Sequence, residues 1–322
     1  MTRLGYQIPN FTYPGRDSSD IFGNVVAQAK AAEAAGFDRV FVMDHFYQLP
    51  GIGSHDEPML ECYALLCALA QHTETVRLSA LVTGNTYRHP TLLAKAVTAL
   101  DHVSGGRATL GIGAGWFELE HDSLGYEFNT FTERFRKLEE SLQIIIPMLR
   151  GQNVSFAGEY YQVVDAVNSP APVSQIPVMI GGSGEKKTLR MVAQYADESN
   201  LSSGTAEEIP RKLDALEAHC QRLRRDRSEI KVTKLVMAMV APTMEEVEAD
   251  LREMAAVKGW NEEIIELVKS ILIYGDADTV GEQLQGLMNT GIDGLTINLV
   301  FNGHNTDRIG LLGEIGVAAT AR

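Results

Sequence analysis

Eight short apolar runs, separated by helix-length stretches, constrain this chain more than any other feature of its sequence. They span Leu4–Ile8, Val40–Met43, Val76–Val82, Ala108–Ile112, Val178–Ile180, Glu198–Leu201, Val232–Val240 and Leu295–Val300. Several are apolar at consecutive positions, as in Val40-Phe41-Val42-Met43, which is what a parallel strand covered on both faces requires. Between the runs, apolar residues recur three and four apart: Leu138, Leu142, Ile145 and Leu149; Ile209, Leu213, Leu216, Cys220 and Leu223; Val280, Leu284 and Leu287. Each set places one apolar stripe on a helix. Thr205 with Glu208, Thr243 with Glu246 and Thr279 with Glu282 read as capping boxes at helix starts, and Gly36 and Gly291 as helix ends.

Strands alternating with helices fit a closed barrel or a doubly wound open sheet. A dinucleotide-binding sheet should show GxGxxG after its first strand, whereas here that strand runs into Pro9-Asn10-Phe11-Thr12-Tyr13-Pro14-Gly15. The count of eight and the length of 322 residues favour a (β/α)8 TIM barrel in one domain, 1–322, with insertions. Residues 153–167 alternate around Ala157-Gly158-Glu159 and predict an inserted hairpin, and 260–273 predict an extra helix.

Composition narrows the partners. A net charge of −14 opposes binding to nucleic acid or an anionic membrane, both of which are held by clustered Lys and Arg. The one basic cluster, Arg222 to Arg227, reads as a solvated helix end. Cys62, Cys67 and Cys220 form no CxxC pair, so they read as small core residues with neither disulfide nor zinc implied. No apolar run approaches the ~20 residues of a membrane span, and Met1-Thr2-Arg3-Leu4 lacks a signal-peptide apolar region, so a cytoplasmic protein is expected.

In such a barrel the chemistry sits at the carboxyl ends of the strands. Those positions hold Asp44-His45, Thr83-Gly84-Asn85, Gly113-Ala114-Gly115-Trp116 and Gly181-Gly182-Ser183-Gly184, all expected to converge on one cleft. The last of these leads from a strand into a helix, where backbone N–H groups can hold a phosphate, although a plain glycine-rich turn would read the same. Gly111-Ile112-Gly113-Ala114-Gly115 either bares backbone to a flat ligand or fills a tight barrel interior. His45 can act as acid, base or orienting donor, or simply belong to a capped strand end. Glu118, Glu120 and His121, with His45, His55 and Glu57, are ligand types for a metal, but no metal is expected.

Five ordered motifs carry a resemblance that covers nearly the whole chain. They are Gly36-Phe37-Asp38 with Val42-Met43-Asp44-His45-Phe46; Val82 to Pro90 followed by Leu93-Ala94-Lys95; Leu100 to Arg107; Gly111 to Trp116; and Ile180 to Gly184. In these the chain resembles the luciferase-like monooxygenase superfamily, in its actinobacterial branch of F420-dependent oxidoreductases. The resemblance implies coenzyme F420, or alternatively FMN, in the barrel mouth. Its phosphate would lie at Gly181, Gly182, Ser183 and Gly184, and its ring beside Asp44, Thr83, Ala114 and Gly115. It also implies a non-proline cis peptide behind the ring near Ala80-Leu81, and a homodimer.

By the same resemblance His45 assists hydride transfer between the cofactor and a small organic substrate. The related sugar-phosphate dehydrogenase has a glutamate where this chain has Trp116, a departure that argues against a sugar phosphate and leaves Trp116, Glu120 and His121 as possible helpers. The competing readings are an FMN-dependent monooxygenase, a non-catalytic flavin-binding protein and a metal-dependent hydrolase. Aromatic residues Phe11, Tyr13, Phe46, Tyr47 and Trp116 fit either a planar substrate or packing under loops.

Overall fold

The computed structural model describes residues 3–321. Its first half runs β1 (Arg3–Ile8), α1 (Ile21–Ala34), β2 (Arg39–Val42), α2 (Cys62–Ala70), β3 (Arg77–Ala80), β4 (Thr83–Gly84), α3 (Pro90–Val103), β5 (Leu110–Gly113), α4 (Glu118–Leu124) and α5 (Phe131–Leu149). There follow β6 (Val154–Ala157), β7 (Gln162–Ala166), β8 (Val178–Gly181), α6 (Thr188–Tyr195), β9 (Glu198–Leu201) and α7 (Ile209–Leu223). The chain closes with β10 (Lys231–Ala241), α8 (Met244–Lys258), α9 (Glu262–Ile271), β11 (Ile273–Asp276), α10 (Ala277–Met288), β12 (Gly294–Leu299) and α11 (Thr306–Thr320).

All eight expected strands form, and they pair in parallel in the order β3-β2-β1-β12-β10-β9-β8-β5. The ring closes where Leu78 of β3 bridges Ala108, its N–H donating to Arg107 O at 2.9 Å and its carbonyl accepting from Thr109 N–H at 3.0 Å. Two-residue β4 continues the third strand past an irregularity and pairs with β5, Thr83 opposite Ile112. The chain therefore folds as a (β/α)8 barrel, mostly because several strands are apolar on both faces and must be covered by helices.

The inner layers explain several small residues. A Cβ on Gly5 would stand 2.6 Å from the Phe41 ring, so the glycine makes room for an aromatic side chain inside the ring of strands. Phe41, Leu81 and Met179 form a buried plug beneath the mouth, with Val82 and Leu235 packed on it. At the opposite, N-terminal end, Arg39 opens β2 and Glu198 opens β9, and their side chains meet at 2.5 Å while almost wholly buried.

Residues 153–167 hold the antiparallel β6–β7 hairpin. The stretch 260–273 contains α9, but its last residue begins β11, which pairs with the end of β10, Ala238 opposite Ile273. Of the three capping boxes, Thr243 accepts from Glu246 N–H as expected. Thr205 instead precedes its helix by four residues, in a turn where Glu208 accepts from Thr205 N–H. Thr279 lies inside α10, whose cap is Asp276, because a carboxylate three residues earlier reaches the Thr279 N–H first. An unanticipated capping box opens α5: Thr130 and Glu133 satisfy each other's backbone N–H groups. Thr130→Ala is expected to cost about 1 kcal/mol in a denaturant titration. Gly36 and Gly291 end their helices with φ of 88° and 99°, as expected. The basic cluster spends itself locally, Arg225 on the carbonyls of Val192 and Ala193 and Arg227 on that of Ile230.

Candidate functional site

A cavity of about 610 Å3 occupies the carboxyl ends of the strands. Asp44, His45, Leu81, Thr83, Ala114, Gly115, Trp116, Gly181 and Gly182 line it, so the four expected segments do converge. Ala80 does not reach the wall. It is buried within the β3 ladder opposite Val42, which still holds Leu81 N–H at 2.9 Å, and only after that bond does the strand break. For the same reason the non-proline cis peptide falls one bond later than expected, at Leu81–Val82. Ser183 and Gly184 also stand off the wall: the Ser183 hydroxyl is turned to the Ser203 backbone, donating to its carbonyl at 3.0 Å and accepting from its N–H at 2.9 Å.

The glycine-rich end of β5 is a matter of packing as much as of access. A Cβ on Gly111 would lie 2.1 Å from the Ala80 carbonyl, and one on Gly113 would lie 2.9 Å from the Val82 side chain. Gly181 faces Val82 in the same way at 2.7 Å. Gly113 and Gly181 make room for the Val82 side chain, and with Gly115 they still present backbone to the cavity. Gly115 and Gly182 have φ of 78° and 127°, conformations that side chains oppose.

His45 is held from behind. Its Nδ1 lies 3.0 Å from Glu120 Oε2, and the fully buried Glu120 carboxylate also accepts from the N–H groups of Phe46 (2.5 Å) and Tyr47 (2.9 Å) and from the Tyr87 hydroxyl. Burial raises the Glu120 pKa, but hydrogen bonds from His45, Tyr87 and Tyr47 outweigh it, and the carboxyl sits below its usual range. An ionised carboxylate only accepts, so His45 Nδ1 carries a proton and Nε2 is the nitrogen left to exchange one. Burial and the Glu120 carboxylate push the Tyr87 hydroxyl upward, keeping it a donor.

Asp44 lines the cavity and has a structural employment besides. Its oxygens bind Arg88 in a fork at 2.7 and 2.9 Å and take the Gly84 N–H at 3.0 Å, so it anchors the segment after β4. Burial works against the Arg88 charge, but the Asp44 and Glu61 carboxylates overcome it and raise its pKa. His121 is buried between Thr86 Oγ1 at 2.7 Å and the Phe117 carbonyl at 2.8 Å, away from the mouth. Trp116 stacks on Phe117 with its ring 5.8 Å from that of His45, and remains 59% exposed at the rim.

Several wall residues escaped the sequence reading. Gln7, Asn200 and Asn298 are polar interruptions in apolar strands, a signal that was there to be read. Asn298 donates to Gln7 at 2.8 Å, and Gln7 in turn donates to the Leu81 carbonyl at 3.3 Å. Thr188, the first residue of α6, is buried on the wall, and its helix has no side-chain cap. Arg134 donates to the carbonyls of Gly115 and Asn129 and lies 3.9 Å over Phe128. Nothing in the local sequence of α5 announces that role.

These features define the class as a (β/α)8 barrel with a glycine-lined cavity at the C-terminal mouth of its strands. The luciferase-like monooxygenase family model matches residues 2–294, and the chain belongs to that family. It is 34% identical over 197 residues to an F420-dependent glucose-6-phosphate dehydrogenase of Amycolatopsis mediterranei, covering 61% of this chain and 55% of that one. A protein of the same description from Mycobacterium avium is 31% identical over 214 residues, covering 64% and 59%. The match thus spans less than two thirds of each of these relatives. In fold, the chain is similar to the coenzyme F420 dependent tetrahydromethanopterin reductase of Methanopyrus kandleri (TM-score 0.77, 18% identity, 99% of each chain). It is also similar to an F420-dependent secondary alcohol dehydrogenase (TM-score 0.79, 19% identity, 100% and 99%).

Proposed function

We propose that the protein is an F420-dependent oxidoreductase transferring a hydride between the deazaflavin and a small organic substrate. The observation that carries this reading is the His45–Glu120 pair on the wall of a glycine-lined mouth. The names of the relatives support the choice of F420 over FMN. The residues present fit such a group. Asn298 Oδ1 is buried on a wall residue without a partner, ready to accept from a ring N–H. Gly182 and Thr188 stand where the uncapped start of α6 favours a phosphate, with Lys212 reaching 3.4 Å from the Ser183 carbonyl behind the loop.

When bound, the reduced deazaflavin supplies the hydride. The chain supplies position and a proton. Leu81, Val82 and Gly115 on the wall would hold the ring, and His45 Nε2 would give or take the proton at the substrate while Glu120 holds the imidazole on the cavity wall. Leu49, Ile52, Trp116 and Phe131 make one stretch of the wall apolar, and the wall's Arg134 is spent on the carbonyls of Gly115 and Asn129, which favours an apolar or planar acceptor over a sugar phosphate. The cytoplasmic location expected from the sequence, and the homodimer implied by the resemblance, belong to this proposal. In support of the first, no described helix is long and apolar enough to cross a membrane; light scattering on the purified protein tests the second.

Fluorescence titration with F420 and, separately, FMN tests the reading, followed by oxygen uptake of the reduced complex. Tight F420 binding without oxygen uptake is expected. FMN preference with peroxide formation would reverse the cofactor, and turnover of glucose 6-phosphate would refute the apolar acceptor. Gly182→Asp is expected to weaken cofactor binding at least about 100-fold, because a carboxylate would face the phosphate from a strained backbone position. Unchanged affinity would remove that loop from the site.

A further inference from the structure

A second cavity, of about 570 Å3, meets the first at Ser202, Leu235 and Met237. Leu235 and Met237 of β10 border both cavities, whereas the alternating Lys234 and Val236 line only the second, under α9, β11 and α10. Ile271, Leu272, Ile273 and Leu287 make most of its wall apolar, and among the described residues no Asp or Glu lines it.

Lys234 is 8% exposed there. An ammonium has three N–H donors, and the structure gives this one a single acceptor, the carbonyl of its own neighbour Leu235 at 2.5 Å. The comparison within the chain is instructive: the other deeply buried lysine ammoniums face carboxylates, Lys212 that of Glu185 and Lys258 that of Glu57. Among the described residues no carboxylate pairs with Lys234 in this way. Burial alone lowers its pKa to about 8, with no charged neighbour contributing. A charge kept out of water without a counter-charge is costly, and the cavity beside it is where a counter-charge has room.

We propose that this second cavity is an anion site, in which Lys234 receives a carboxylate or phosphate group. Ser202 and Gln283 at the exposed rim add polar contacts, and the apolar wall takes the rest of the ligand. The anion has two possible sources: the anionic tail of a ligand seated in the first cavity and crossing Ser202, or a separate small carboxylate or phosphate compound. The site itself does not depend on the cofactor assignment above.

The test is calorimetric titration of the full chain with inorganic phosphate and with citrate, beside fluorescence titration with F420 and with the deazaflavin nucleus lacking its tail. Wild type, Lys234→Arg and Lys234→Met are compared, methionine keeping the unbranched stem. Lys234→Met is expected to lose at least about tenfold in affinity for the anion, and Lys234→Arg to retain most of it. A loss confined to F420, with the tail-free nucleus unaffected, assigns the site to the tail; a loss for phosphate or citrate assigns it to a separate anion. Equal affinities in wild type and Lys234→Met for all four probes, or binding of none of them, overturns the site. Should Lys234→Met fail to fold, acetic anhydride labelling of wild type decides instead: saturating anion is expected to protect Lys234, and undiminished labelling overturns the proposal. If neither deazaflavin binds, the cofactor assignment fails while the phosphate and citrate titrations still decide this one.

Discussion

Replacing His45 with alanine is expected to lower kcat by about 10²–10⁴-fold while leaving F420 affinity nearly unchanged, the range typical for removal of a positioned acid or base. The imidazole stands on the cavity wall beside the rim Trp116, and the contacts proposed for the phosphate lie on the other side, at Gly182 and Thr188. Glu120→Gln should reproduce part of the loss. The amide no longer demands a proton on His45 Nδ1, and it disturbs the N–H groups of Phe46 and Tyr47 that share the carboxylate. Because Glu120 acts through His45, its effect should appear as a changed pH profile of kcat and not as a uniform loss. A His45→Ala variant with wild-type kcat would transfer the proton to another group or to water.

Glu198→Ala is expected to destabilise the fold by about 3–5 kcal/mol, measured by urea unfolding, because it leaves Arg39 buried with its main counter-charge gone. Asp38, 3.1 Å from Arg39 Nε, retains part of the compensation and places the effect toward the lower end. The pair lies at the end of the barrel opposite the cavity, so activity per folded molecule should be unchanged. Replacing both residues by leucine should recover much of the loss, since a filled apolar layer needs no charge pairing. A loss below about 1 kcal/mol in the single variant would mean that Arg39 is satisfied without Glu198.

The strand order was legible in outline because burial on both faces forces apolar runs, and eight such runs alternating with striped helices leave few architectures. What escaped was local competition. Ile273–Asp276 is short and only partly buried, pairing with a single neighbour, so its apolar start read as the end of a helix. Asp276 capped α10 ahead of Thr279 because either residue can end a helix and only the backbone path selects between them. At the site, Asp44, His45 and the glycines stood out at strand ends, but their roles did not. Asp44 is bound by Arg88, 44 positions away, and His45 by Glu120, 75 positions away.

Sequence by itself determined the eightfold alternation, the end of the barrel that carries polar and glycine residues, and the identity of the histidine there. These follow from periodicity and from what single residue types can do, both of which are local. Tertiary structure alone decided which glycines accommodate Val82, which carboxylate holds His45, and that Lys234 is buried beside a second cavity with no carboxylate among the described residues paired to it. Each of those is a distance between residues far apart in the chain, and such a distance is set by how the strands close into a ring, not by any one strand.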